Sequence, residues 1–224
     1  MKLKRKNNRY ISLLADIGKR RLVTCIFMLF LFVWLSKAVL DKKTIKFDES
    51  LLLLLHNHTN DNIALGLSKI FYYAGDAKYS AIVVILSLGI LFWKGYWQEA
   101  KILAIASLGV LVIVDRGLKP FFDISRPGES LVSKVGKSFP SGHATGNFVL
   151  YFYLAYLLAE RFPKLTIYIY GVITAFLILI GLSSMYLRVH WPTDIIAGYA
   201  SGYVWLTICL GMLKISTNKY KKYN

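Results

Sequence analysis

Long apolar runs alternate with short polar ones along this chain. Six runs stand out, at about 22–40, 79–93, 99–118, 144–159, 165–183 and 194–213. Most reach or approach the ~20 residues that a helix needs to cross a ~30 Å hydrocarbon layer, and the second, though short, extends at either end. A helix satisfies its own backbone hydrogen bonds in lipid, and the period-2 alternation of a membrane barrel is missing, so each run predicts a spanning helix. Between the first two runs, Phe47 to Leu55 and Asp61 to Tyr73 predict two short interfacial helices, the second closed by Gly75-Asp76. They read either as one wall of a lipid entrance or as packing elements that meet no ligand. The expected fold is all-α, a polytopic membrane bundle of six transmembrane helices with short extracytoplasmic interfacial helices. No repeat, low-complexity tract or linker divides it, so residues 1–224 are read as one domain with basic tails at 1–21 and 214–224.

Composition strengthens the membrane reading. The chain is 56% hydrophobic with a mean hydropathy of +0.49, far from the balance of a soluble domain. Its charge of +16 raises nucleic acid as a partner, but much of that charge sits in the tails, at Lys2, Lys4, Arg5, Lys6, Arg9, Lys19, Arg20 and Arg21 and at Lys214, Lys219, Lys221 and Lys222. Basic residues flanking apolar spans follow the positive-inside pattern and attract anionic lipid, so membrane lipids and not nucleic acid are the expected partners. Both termini then face the cytoplasm of a plasma (inner) membrane, and the loops 119–143 and 184–193 face outward. The run after Arg21 is longer than the ~7–15 apolar residues of a signal peptide and no A-x-A pattern follows, so a retained first span is expected. Cys25 and Cys209 lie in apolar runs and predict neither a disulfide nor a zinc site, and His56-Asn57-His58 has no companion ligands. No metal and no cofactor is expected.

Three segments carry the chemistry, and the topology puts all three on the outer side: Lys119 to Pro127 (KPFFDISRP), Pro140 to His143 (PSGH) and Ser183 to Asp194 (SSMYLRVHWPTD). Ser141 is a good N-cap for the run that follows, Gly142 lets backbone come close to a ligand, and a helix start with free N–H groups attracts anions. Alone, these residues describe an ordinary capped helix; His143 in its first turn fits a general acid above a bound phosphate. Lys119 offers a point charge and Arg126 a fork for two phosphate oxygens, although either alone reads as interfacial snorkelling. Pro192 and Asp194 suit a helix start without any chemistry. His190 is not explained that way: a carboxylate four residues on can fix its tautomer and leave the other nitrogen free to attack. The chain has only four histidines, and two of them fall in these segments.

The segments resemble the three signature motifs of the type 2 phosphatidic acid phosphatase superfamily, K-x6-R-P, P-S-G-H and S-R-x5-H-x3-D. Lys119, Arg126 and Pro127 match the first, Pro140 to His143 the second, and Ser183, His190 and Asp194 the third. The resemblance implies a metal-independent phosphatase related in fold to vanadium haloperoxidases. It implies His190 as the nucleophile of a phosphohistidine intermediate, Asp194 as its orienter and His143 as the acid for the leaving oxygen. Lys119, Arg126, Ser141, Gly142 and Ser183 would hold the phosphate. That agrees with the physics of phosphoryl transfer, which is mostly positioning and neutralising of charge.

One position departs from the pattern. Ser184 stands where the motif has arginine, and Arg188 stands four residues on. Loss of one preorganised contact costs ~3–4 kcal/mol, roughly 10²–10³ in rate. Arg188 is expected to substitute as a phosphate ligand; the competing reading has it meeting lipid headgroups in a slow or inactive enzyme. The function expected is an integral membrane lipid phosphatase acting on a phosphorylated lipid. Phosphatidic acid, phosphatidylglycerol phosphate, undecaprenyl pyrophosphate and lipid A phosphate all remain open as substrates. The alternative is a non-catalytic lipid-phosphate binder with a degenerate site at Ser184. Selectivity for head group and tail is expected from the 44–77 region and the 128–139 loop, and oligomeric state is left open.

Overall fold

The structure is a computed structural model that describes residues 18–57, 62–128 and 130–223, and within these it is helical with irregular connections. The helices are α1 (Lys19–Leu40), α2 (Ile45–Asn57), α3 (Asn62–Ala74), α4 (Ala77–Trp93), α5 (Trp97–Val110), α6 (Lys119–Phe122), α7 (Gly142–Arg161), α8 (Thr166–Tyr186) and α9 (Pro192–Tyr223). A π-helical stretch, Leu111–Leu118, carries α5 into α6, and a 3-10 turn, Pro163–Leu165, leads into α8. Every apolar run predicts one of these helices, and α2 and α3 fall where the two short ones are expected. Lys2 to Arg9 lie outside the described residues.

Among the described residues, three stretches are long and apolar enough to cross a membrane: α1, Pro163–Tyr186 and Pro192–Thr217. The α3–α4 pair, bent by 44° at Gly75-Asp76, makes a fourth if it is taken as one broken span. This sharpens the expectation for α3, whose apolar pattern runs on into α4 with only that short break. Apolar side chains on α1 (Ile26, Phe30, Val33), α4 (Ile85, Leu86, Ile90) and α8 (Ile167, Val172) point away from the protein. Such faces are stable only against lipid or a partner.

The core lies between α5, α7 and α9. Leu103, Ala106 and Val110 pack with Val149, Tyr153, Leu206 and Cys209. Burying side chains of this size stabilises by about 1.5–3 kcal/mol each in water, but in lipid the gain comes chiefly from close packing and small residues. Gly109 is such a residue: a Cβ there would fall 2.2 Å from the Trp205 ring, whose indole N–H donates to Ala106 O. Gly198 is another, since a Cβ would lie 2.8 Å from Ala144 Cβ and 2.9 Å from Ser141 O. That close crossing of α7 and α9 seats the start of one helix against the start of the other, and Ser141 N–H donates to Asp194 O at 3.0 Å. The second and third motifs therefore meet because small residues let their helices touch.

Helices α2 and α3 are packed onto the later helices. Asp48 of α2, buried, accepts both the N–H and the hydroxyl of Thr193 at the head of α9. On α3, Phe71 meets Phe176 of α8 edge-on.

Candidate active site

The site forms where α6, the 123–141 loop, the start of α7 and the α8–α9 turn converge. The sequence dictates each local shape. Ser141 caps α7, its hydroxyl accepting Ala144 N–H at 3.2 Å, and such a cap contributes ~1 kcal/mol. The π stretch shifts the register just before Lys119, and π turns of this kind recur at functional sites. Lys119 does not stand at the edge of a loop, as the sequence suggested, but opens α6, and its ammonium donates to Asp115 on the π stretch at 2.6 Å. A Cβ on Gly142 would sit 3.1 Å from that ammonium, so glycine keeps the space between Lys119 and the α7 N-terminus open.

Arg126 is the most constrained cation. Its guanidinium donates to Gly136 O (2.9 Å), Val189 O (2.8 Å) and Lys137 O (3.1 Å). Its Nη1 also lies 3.3 Å from His190 Nε2. Since guanidinium only donates, Nε2 is the acceptor. The ring proton then sits on Nδ1, which faces Asp194 Oδ2 at 3.2 Å. Asp194 is itself held by Ser138 Oγ (2.7 Å) and Trp191 N–H (2.8 Å). His190 and Asp194 are both buried. Burial, and then the charges of Arg126, Lys119 and Lys134, hold the His190 imidazole well below its ordinary pKa. A neutral ring with a lone pair on Nε2 and a hydrogen-bonded Nδ1 is the form that can attack phosphorus.

His143 lies opposite, its ring centroid 6.3 Å from that of His190. Arg126, His143, His190 and Asp194 are thus brought together, with Ser141 and Gly142 beside them and Lys119 near enough to act electrostatically on both rings. Ser183 and Ser184 are placed differently. Both are buried within α8, and the Ser184 hydroxyl donates back to Ile180 O. Arg188 sits in the turn after α8 with a left-handed backbone, φ 53°, and is half-buried. Lys119 and Lys134 act electrostatically on both histidine rings, and Arg126 on that of His190.

Sequence reasoning passed over several neighbours. Ser138 hydrogen-bonds Asp194, Asp48 caps the helix that carries it, and Tyr72, Asp76 and Lys134 surround His143. Only Asp76 left a local trace, as a capping residue after Gly75 and ahead of an apolar run.

The chain is similar to known phosphatases. Phosphatidylglycerophosphatase B of Bacillus subtilis (strain 168) is 31% identical over 128 residues, an alignment that takes in 54% of this chain and 61% of that protein. The chain therefore spans less than two thirds of that relative's length. The crystal structure of a transmembrane PAP2-type phosphatidylglycerolphosphate phosphatase from Bacillus subtilis superposes with a TM-score of 0.75, at 22% identity, over 84% of this chain and 94% of the other. That likeness establishes the fold. Aquifex aeolicus LpxE matches at a TM-score of 0.57 and 26% identity, over 72% and 93% of the two chains. A family model, the PAP2 superfamily, matches residues 100–217, which is 118 of the 224 residues. That segment contains Lys119, Arg126, His143, His190 and Asp194, and the protein belongs to the PAP2 superfamily.

Proposed function

We propose that the protein is an integral membrane lipid phosphatase. The observation that carries this reading is the posture of His190, with Nδ1–H on Asp194 and the Nε2 lone pair against Arg126 and facing the His143 ring. A binder needs cations; it does not need an oriented, neutral imidazole facing a second one.

In the proposed reaction, Lys119, Arg126 and the Ser141–Gly142 backbone hold the equatorial oxygens of the phosphoryl group. Arg126 keeps three carbonyl partners while doing so, which makes it preorganised and spares reorganisation in the transition state. His190 Nε2 attacks phosphorus. The bond to the leaving oxygen breaks, and that oxygen takes a proton from His143. Water, giving a proton back to His143, then cleaves the phosphohistidine and releases phosphate. Asp194 stabilises the charge that develops on the His190 ring. Ser183 and Arg188 are read as further contributors to the phosphate site, and no metal ion takes part.

The same reading takes the six apolar helices as six crossings, with both termini cytoplasmic and the site at the outer face of the plasma membrane. The substrate is a phosphomonoester or pyrophosphate lipid. Phosphatidylglycerol phosphate heads the candidates because two of the similar proteins carry that substrate class in their names; phosphatidic acid, undecaprenyl pyrophosphate and lipid A phosphate complete the panel.

Phosphate release from that panel by the detergent-purified protein, with EDTA present, tests the proposal. Release that disappears in His190→Ala, by at least ~10³-fold, is expected; release that survives this change would refute the nucleophile. In the same assay Arg188→Ala is expected to lose roughly 10²-fold if it supplies the missing contact, and an unchanged rate removes it from the site.

A further inference from the structure

The residues that face the His143 ring come largely from outside the three motifs. Tyr72, near the end of α3 and buried, stacks on the imidazole with centroids 5.1 Å apart and planes 12° apart. Asp76 caps α4 with Oδ1, which accepts Lys78 N–H at 3.0 Å. Its Oδ2 is left for the site. It lies 3.6 Å from His143 Nε2 and 3.4 Å from Lys134 Nζ. Lys134 also stands over the Tyr72 ring, 6.0 Å from its centroid.

The corner is held firmly against α7. Asn147, one turn beyond His143, donates to both Gly75 O and His143 O at 2.8 Å and accepts from the Ser80 hydroxyl at 2.9 Å. A Cβ at Gly75 would lie 2.9 Å from Asn147 Nδ2 and from Ile180 Cγ2, so the turn admits only glycine without rearrangement. His143 Nε2 is buried and, among the described residues, has no hydrogen-bond partner. The carboxylate it faces is just beyond bonding range. A buried polar nitrogen left in that state is costly unless a ligand or a small movement completes it.

Charge explains why such an arrangement is needed. The groups that act on the His143 ring are Lys134, Lys119, His190 and Asp76, with Tyr72 stacked on its face. Burial disfavours a proton on the ring most, and Lys134, a charged His190 and Lys119 add to it. Asp76 favours the proton. A general acid must hold a proton when its substrate is bound.

We propose that Asp76 is the positioning residue of His143, and that Lys134, which shares its carboxylate, is a further cation of the phosphate site. The proposal rests on the phosphatase reading. In the free protein one carboxylate oxygen is divided between Lys134 and His143, at distances longer than the ~2.7–2.9 Å of a direct charge-assisted bond. A phosphoryl dianion among Arg126 and Lys119 draws Lys134 toward itself. Asp76 is then left to His143, and both the new anion and the released carboxylate favour the protonated ring. That proton passes to the leaving oxygen as the P–O bond breaks and the Nε2–P bond to His190 forms, and it is recovered from the water that cleaves the intermediate. Asp76 stays ionised and never touches the substrate.

Asp76→Asn is the discriminating change, because asparagine caps a helix about as well as aspartate and leaves α4 intact. The full-length variant is compared with wild type on an alkyl lipid phosphate and on an aryl phosphate whose acidic phenol leaves without help. General-acid assistance is worth ~10²–10⁴-fold. Impaired positioning is expected to cost the lipid phosphate roughly 10–100-fold in kcat and move the basic limb of its pH profile to lower pH. The loss with the aryl phosphate is expected to be at least ~10-fold smaller, and Asp76→Glu to recover part of the difference. Equal losses on the two substrates, with an unmoved pH profile, would overturn the inference, since a purely structural defect ignores the leaving group. The His143 imidazole titration, followed by NMR in histidine-labelled protein with inorganic phosphate present, reads the pairing without turnover. A lower titration midpoint in Asp76→Asn supports it and an unchanged one overturns it. If wild type releases no phosphate from either substrate, the phosphatase reading fails and the titration alone decides whether Asp76 governs His143.

Discussion

Residues 100–217 and residues 18–99 have different relations to the site. The later part carries every motif residue, and half of the apolar window of Pro192–Thr217 lies inside the protein, against 17% for α1 and 17% for Pro163–Tyr186. The earlier part turns most of its apolar surface outward and contains no motif residue. Yet Asp48 and Tyr72, both from this part, are among the most buried polar and aromatic side chains, and each touches the machinery of the later part. The motif residues therefore sit in one half of the chain and part of their support comes from the other. A match to residues 100–217 reports the first and says nothing of the second.

The sharpest break in that division is expected at Arg126. Its side chain carries three carbonyl bonds and the contact to His190, so Arg126→Ala removes a proposed phosphate ligand and two ties to the 128–139 loop together. The rate should fall at least ~10²–10³-fold. Arg126→Lys should recover little, because an ammonium cannot reproduce a planar fork that bonds in several directions at once. Phosphate release at saturating substrate checks both, and near-wild-type turnover in the lysine variant would mean that charge alone suffices.

A smaller effect is expected on the supporting side. Asp48→Ala leaves the Thr193 N–H and hydroxyl buried without their acceptor, at a cost of about 1–3 kcal/mol. It should lower the thermal midpoint in detergent while reducing turnover by less than the Arg126 changes, since Asp48 bonds the residue beside Asp194 and not Asp194 itself. Turnover lost as completely as in Arg126→Ala, with no change in midpoint, would move Asp48 from support into the chemistry and erase the division drawn above.

How much of this was legible beforehand follows the same line. The apolar runs located the helices because a helix in lipid must be apolar over most of its length, and that constraint is written locally. The motif residues were legible because Ser141, His143, His190 and Asp194 owe their placement to neighbours within four residues, through a cap, a first turn and an i, i+4 carboxylate. Lys119 was placed on the wrong kind of element, since a π register shift leaves no mark in a hydrophobic pattern that simply continues. Tyr72, Asp76, Lys134 and Ser138 reach the site through contacts across 56 to 71 positions of sequence, and an aspartate, a lysine or a serine alone does not announce such a partner. The 44–77 connection was read as either wall or packing; its described residues pack on α8 and α9, and its last turn ends beside His143.

The least of the expected effects isolates His190 from everything around it. Its ring is kept neutral in the folded protein by burial and by three cations, so its folded pKa lies well below the ordinary value near 6.5 that it regains on unfolding. Below pH 6.5 the unfolded chain therefore binds a proton that the folded protein refuses. Stability is lost as pH falls through that window, and nothing changes above it. For one group the loss between pH 6.5 and 6.0 is less than about 1 kcal/mol. The thermal midpoint in phosphate-free detergent buffer should thus decline more steeply on acidification in wild type than in His190→Gln, which has no proton to gain and leaves His143 in place in both proteins. Parallel slopes would mean that folding leaves the His190 pKa at its ordinary value, and a shallower wild-type slope that the folded ring holds its proton more tightly and lacks a lone pair with which to attack. A steeper wild-type slope would show the ring kept neutral by its burial together with the cations around it, and since those cations are the ones proposed to hold the phosphate, the later half of the chain would meet both needs with one set of charges.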